Sequence, residues 1–139
     1  MHKVDVVIET PKGSKYKYKF EPETNRFRVH KLLPAGLAFP YDFGFIPDTK
    51  GDDGDPLDVL VIMDEPVYPG ILVRARLIGS IEAEQTEKDE TVRNDRLLAV
   101  ASASQDTANV RELTDLNDSL LKEIEHFFVS YNEVEGRRF

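Results

Sequence analysis

The chain contains no cysteine. Disulfides and thiolate metal sites are thereby excluded, and a reducing compartment is permitted. No apolar run is long enough for a membrane span, and the start, "MHKVDVVIETPKG", has none long enough for a signal peptide, so a cytoplasmic protein is expected. Repeats, low-complexity tracts and linkers are also missing, which assigns the 139 residues to a single domain, 1–139, with a modest core. Positive charge is the scarcer sign. Eighteen Lys and Arg against 26 Asp and Glu give a net charge of −8, which speaks against nucleic acid and anionic membrane as partners.

The charges that are present segregate. Basic residues gather early, in "KGSKYKYKF" and "RFRVHK"; acids gather between Asp52 and Asp58 and in "EAEQTEKDE". Such a distribution can set cations and anions on opposite walls of one pocket. Between them the apolar pattern is mostly that of strands. "VDVVIE" (4–9) reads as a strand ended by Pro11 and Gly13, "KYKYKF" alternates with Tyr16, Tyr18 and Phe20 on one face, and "RFRVHKLL" follows. Residues 34–56 read as a long loop punctuated by Pro and Gly, of a length usually reserved for function, and its Phe39, Tyr41, Phe43 and Phe45 argue against disorder. "LDVLVI" and "ILVRARLIGSIEAE" predict two more strands, and "RLLAVAS" a last one after an acidic loop. One helix is expected, over "DSLLKEIEHFFVSYNEV", where Leu120, Leu121, Ile124, Phe127, Phe128 and Tyr131 recur on one face. Asn117 or Asp118 can cap its start and Gly136 its end. Short strands, one long loop and a late helix predict a mainly β, closed antiparallel barrel with the helix packed on it.

The densest chemistry lies in "GDDGDPLDVLVI". Asp52, Asp53, Asp55 and Asp58 fall within seven residues and run straight into a strand. Two carboxylates about 4 Å apart repel by roughly 4 kcal/mol at an effective dielectric of 20, a cost that water or a bound cation must offset. Pro56 restricts Asp55 to an extended backbone, and strand parity sets Asp58 on the face of Leu60 and Ile62. Asp-Gly alone is an ordinary turn, and the spacing of a calcium-binding EF-hand loop is absent. The wider set, with Glu9 ending the first strand and Asp89 and Glu90 in the acidic loop, suits a hard ion such as Mg²⁺ or Mn²⁺, and the early lysines suit a phosphate-like anion.

On "DGDPLDVLV", the sequence resembles the family I soluble inorganic pyrophosphatases. "VVIETP", "KYKYKF", "FPYDFGFIP", "DETVRNDRLLAV" and "HFFVSYN" follow that family's order and spacing over nearly the whole chain. The resemblance implies an OB-like five-stranded barrel, hydrolysis of pyrophosphate to two phosphates, several Mg²⁺ ions, and often a symmetric homo-oligomer. It also implies roles by position. Asp53 and Asp58 would be metal ligands, Asp89 would hold a further ion, and Glu9 one arriving with substrate. Asp55 would be the base that orients or deprotonates water. Lys15, Lys31, Arg96 and Tyr131 would hold phosphate oxygens. His2, His30 and His126 match no functional position.

The chain departs from the family at several of these places. The family usually has Arg at Lys31, Glu at Lys17, and Tyr at Phe39 and Phe43. It has a metal-binding Asp where Asn94 stands and a phosphate-binding Lys where Asn132 stands; Asp95, one residue on, could replace the former. Lys17 and Asn132 therefore join the expected substrate-binding set. Two other functions stay open beside pyrophosphate hydrolysis: cleavage of another phosphoanhydride, such as a nucleotide or polyphosphate, or non-catalytic binding of a phosphate or nucleotide.

Overall fold

The structure, a computed structural model, describes residues 3–50, 55–81, 84–87, 90–93, 95–105 and 107–134; of 84–87, 90, 92–93 and 131–134 it describes the backbone. The described elements are β1 (Lys3–Thr10), β2 (Tyr16–Glu21), β3 (Arg26–Leu32), β4 (Asp42–Phe45), β5 (Asp58–Ile62), β6 (Leu72–Ile81), β7 (Glu84–Glu87), β8 (Glu90–Arg93), β9 (Arg96–Ala101), a 3-10 turn at Leu113–Asp115, and α1 (Asp118–Val134). The helix occupies the span its periodicity predicts. Asn117 is its cap: Oδ1 accepts from the Ser119 N–H at 2.8 Å, and its carbonyl accepts from Leu120 and Leu121. Gly136 lies outside the described residues.

Two expected loops contain strands. Residues 34–56 include β4, whose four residues with a glycine among them carry too little pattern to read locally. It is a strand because β1 and β5 pair with it on either side. Gly44 is required there, since a Cβ would lie 2.0 Å from the Val7 carbonyl oxygen. The expected acidic loop holds the hairpin β7–β8, and the strand expected over 71–84 ends at Ile81.

A closed barrel forms in the order β1-β4-β5-β9-β6, with β6 pairing back to β1. Its β5–β9 seam is parallel; the other four are antiparallel, so the all-antiparallel expectation fails at that one seam. The chain reverses through β6 and returns through β7–β8 to enter β9 in the direction of β5.

Strand alternation sorts the apolar residues into two cores. Val6, Ile8, Val59, Val61, Val73, Ala75, Ala99 and Ala101 fill the lumen, which in so small a barrel has room only for short side chains. Phe43, Leu60, Ile62, Leu98 and Val100 point outward and are covered by Ile124, Phe127 and Phe128 of α1. Each fully buried side chain of this size stabilises the fold by about 1.5–3 kcal/mol. Among the described residues no helix is long and apolar enough to cross a membrane.

Outside the barrel, β2 and β3 form a two-stranded sheet fastened to β1 by side chains. The Thr10 hydroxyl accepts from Tyr18 N–H at 3.1 Å and donates to the Tyr18 carbonyl at 3.3 Å. Phe20 stacks on Phe45 with ring centroids 5.9 Å apart.

Candidate active site

Alternation along β5 sets Asp58 on the outward face with Leu60 and Ile62, at the end of the apolar surface that α1 covers. The parallel register of β5 with β9 pairs Val59 with Leu97 and Leu60 with Leu98, so the first residue of β9, Arg96, falls beside Asp58. Its Nη1 lies 3.6 Å from the Asp58 Oδ2. The arginine side chain is only 7% exposed against 26% for the aspartate. Its guanidinium also lies 5.4 Å from the centre of the Phe128 ring, so the buried cation rests against an aromatic face as well as a carboxylate.

Glu9 arrives from the other side through a β-bulge. Between Ile8↔Gly44 and Thr10↔Phe43 the register advances two residues on β1 for one on β4, and Glu9 is the extra residue. Bulges bend a strand and re-aim a side chain. Here the carboxylate turns toward the hairpin, where Oε2 accepts the Phe20 N–H at 2.9 Å. Its pKa is pushed up to about 7, first by burial and then by the nearby Asp58 charge; the Phe20 hydrogen bond and the charges of Lys17 and Lys19 oppose the rise. Two coupled carboxylates, one of them costly to ionise where it lies, form a hard-oxygen donor pair that a divalent cation would relieve.

The hairpin supplies the cations. Lys17 pairs directly with Lys31, and just beyond them the register advances two residues on β3 for one on β2. Both lysines are half-buried, whereas Lys15 and Lys19 are exposed. Lys15 precedes β2 and is held through its carbonyl, which accepts the Leu33 N–H at 2.7 Å. The basic and acidic segments of the sequence thus meet at Glu9, on which the charges of Lys17, Lys19 and Asp58 act, and Asp58 in turn pairs with Arg96.

Of the remaining expected residues, Asp55 is exposed ahead of β5, and Asp95 is half-buried immediately before β9. Tyr131 and Asn132 belong to the last turns of α1, and their side chains are not described. Asp53, Asp89 and Asn94 lie outside the described residues. Among the described residues no three His, Cys, Asp or Glu side chains converge as a metal-binding group.

Two contributors escape sequence reasoning. Phe128 reads only as part of an apolar helix face, yet it carries Arg96. Thr10 reads as a strand end, yet it ties β2 to β1. Phe39 and Phe43 are buried in a ring cluster, with Phe39 5.0 Å from Phe127 and Phe43 6.1 Å from Phe128 between centroids. Phe39 and Phe43, at positions where the sequence resemblance expects tyrosine, are thus part of the apolar core under α1.

A five-stranded barrel with the Asp58–Arg96 pair at the head of β5 and β9 and Glu9 nearby fits the class of proteins that handle a phosphate-like anion with a hard cation. A profile of the family described as inorganic pyrophosphatase matches residues 6–139. The chain is 43% identical over 131 residues to an inorganic pyrophosphatase of Streptomyces coelicolor, covering 94% of this chain and 78% of that protein. Against one from Synechocystis sp. it is 42% identical over 134 residues, covering 96% and 77%. Its fold is similar to the inorganic pyrophosphatase structure from Coxiella burnetii, with a TM-score of 0.88 at 34% identity over 98% of this chain and 81% of that one. The Helicobacter pylori structure gives 0.89 at 32% identity, over 98% and 79%. The chain belongs to the inorganic pyrophosphatase family, and its reaction is the hydrolysis of pyrophosphate. Metal dependence is general in that family.

Proposed function

We propose that this hydrolysis depends on Mg²⁺, with Mn²⁺ as a substitute, and takes place at the outer end of the barrel between the β2–β3 hairpin and α1. The observation that carries the reading is the Asp58–Arg96 pair at 3.6 Å, with the buried Glu9 carboxylate close enough to feel the Asp58 and Lys17 charges. Glu9, Asp53, Asp58 and Asp89 would hold the ions, with Asp95 or Asn94 supplying a further oxygen. Bound divalent ions supply a more acidic water and neutralise phosphoryl oxygens.

The chain's own residues do the rest. Asp55 orients the attacking water and accepts its proton as the oxygen bonds to one phosphorus. The bridging P–O bond breaks, and the second phosphate leaves with its charge held by Lys15, Lys31 and Arg96. Tyr131, Asn132 and Lys17 complete the contacts to phosphoryl oxygens. Arg96 suits this task because Asp58 and Phe128 fix its guanidinium before substrate arrives. A cytoplasmic setting, a single domain over 1–139 and a symmetric homo-oligomer accompany the reading, and the net charge of −8 supports the absence of nucleic-acid partners.

Phosphate release measured across pyrophosphate, tripolyphosphate and ATP, with Mg²⁺ or with chelator, tests the proposal. Release from pyrophosphate that needs Mg²⁺ supports it. Preference for a longer phosphoanhydride moves the substrate, and binding without turnover on any of the three rejects catalysis.

A further inference from the structure

Strand β2 runs beside β1 without joining its ladder, since β2 and β3 make a sheet of their own. Two neighbouring side chains of β1 meet its backbone instead. The Thr10 hydroxyl accepts from the Tyr18 N–H at 3.1 Å and donates to the Tyr18 carbonyl at 3.3 Å, so one oxygen serves both backbone groups of one residue. Two residues on, the Phe20 N–H donates to the Glu9 Oε2 at 2.9 Å. Laddered strands lie about 4.7–4.9 Å apart, and a hydroxyl set between two backbones holds them wider than that. The Glu9 carboxylate reaches β2 across this widened gap. Thr10 is fully buried, so a methyl in place of its oxygen would leave the Tyr18 N–H and carbonyl without that partner. Tyr18 follows Lys17 directly and precedes Lys19, and Lys17 pairs across the hairpin with Lys31. Phe20 stacked on Phe45 fixes one end of β2, and the Phe39 N–H bonded to the Ser14 carbonyl at 3.2 Å fixes the approach to the other. Between them, Thr10 holds the stretch that carries Lys17.

We infer that Thr10 is a positioning residue for the hydrolysis: its hydroxyl sets the distance between the hairpin that carries Lys15, Lys17 and Lys31 and the barrel strands that carry Glu9 and Asp58. It acts through the Tyr18 backbone and not by contact with substrate. Groups that must grip one small anion from two sides tolerate little displacement, and a misplacement of about 1 Å costs on the order of 10²-fold in rate. The inference rests on the proposed site beside the hairpin and adds to it the group that fixes its width.

Steady-state kinetics on pyrophosphate in saturating Mg²⁺ compare the wild type with Thr10→Val, which keeps shape and burial, and Thr10→Ser, which keeps the hydroxyl. Thr10→Val is expected to raise KM and to lower kcat/KM by about 10- to 10²-fold, and Thr10→Ser to stay within a few-fold of wild type. A merely structural role would lower the thermal midpoint of Thr10→Val and leave the KM of the folded enzyme at the wild-type value. Hydrogen exchange of the wild type gives a second reading that does not depend on a variant folding. The Tyr18 amide should exchange several-fold more slowly with methylenebisphosphonate and Mg²⁺ than with Mg²⁺ alone, because an anion held from both sides of the gap favours the bonded state. Wild-type KM in Thr10→Val, or Tyr18 exchange indifferent to the bisphosphonate, overturns the inference. Either result leaves Mg²⁺-dependent phosphate release by the wild type standing. A wild type that releases no phosphate from pyrophosphate rejects the catalytic reading, and the inference falls with it.

Discussion

Arg96 and Asp58 stand 3.6 Å apart at the first positions of two parallel strands, and the arginine is the more deeply buried of the two. A cation placed this way is preorganised, since aspartate on one side and the Phe128 ring on the other leave little to rearrange when phosphate charge develops. Arg96→Gln removes that charge and is expected to lower kcat/KM for pyrophosphate by about 10²-fold or more. Arg96→Lys should recover part of the loss, because the charge returns without the planar fork. Steady-state kinetics of the two variants decide the matter, and equal rates for Gln and wild type would remove Arg96 from the site.

Asp55 differs from Arg96 in being exposed and ahead of β5, so its role can be separated from stability. Asp55→Asn keeps shape and removes the base, and turnover should fall by about 10²-fold or more. Its thermal midpoint, measured alongside, separates loss of the base from loss of structure. Wild-type turnover in this variant would assign the proton to another group.

How far the sequence discloses this site depends on whether a feature is local. The α1 span, its Asn117 cap and the outward position of Asp58 all follow from periodicities within a few residues. The neighbour relation between Asp58 and Arg96 does not, because it needs the parallel β5–β9 seam, which no local pattern announces. The Glu9 bulge is hidden for the same reason: an extra residue exists only relative to β4, and β4 itself is short and contains Gly44. The hairpin β7–β8 is hidden because its eight residues, all polar except Val92, lack an apolar alternation. The expected phosphate contacts come from family resemblance alone, whereas the facing of Lys17 and Lys31 requires the observed register.

Metal should stabilise the fold as well as activate it. Glu9 and Asp58 influence each other's charge, and burial makes Glu9 reluctant to ionise. A cation that binds the native pair and not the unfolded chain adds about 2.7 kcal/mol at a hundredfold excess over its Kd. Thermal unfolding in low-salt buffer should therefore shift upward with Mg²⁺ and Mn²⁺, and Asp58→Asn should blunt the shift. A midpoint indifferent to both ions would count against a metal site here.

Asp42 offers a prediction remote from the chemistry. Fully buried at the start of β4, it accepts the Lys12 N–H on Oδ1 at 3.0 Å and the Val67 N–H on Oδ2 at 2.9 Å, pinning two loops to the barrel. Asn can accept only one of these bonds and turns an NH₂ toward the other donor. Asp42→Asn should therefore cost about 1–3 kcal/mol in denaturant unfolding. The pH dependence has a definite sign. Burial raises the Asp42 pKa above its ordinary 3.8, against the pull of the Val67 and Lys12 N–H groups and the Lys12 charge. The folded state then takes up a proton more readily than the unfolded chain. The stability this contributes is fully present below 3.8 and is lost as pH rises through the elevated value. The Asn variant has no such proton, so this loss of stability across the acid range should be seen in the wild type and be absent from Asp42→Asn. Unfolding curves of both proteins across the acid range measure it directly, and a wild-type stability that rises with pH relative to the variant would show that the two N–H bonds to the ionised carboxylate outweigh its burial.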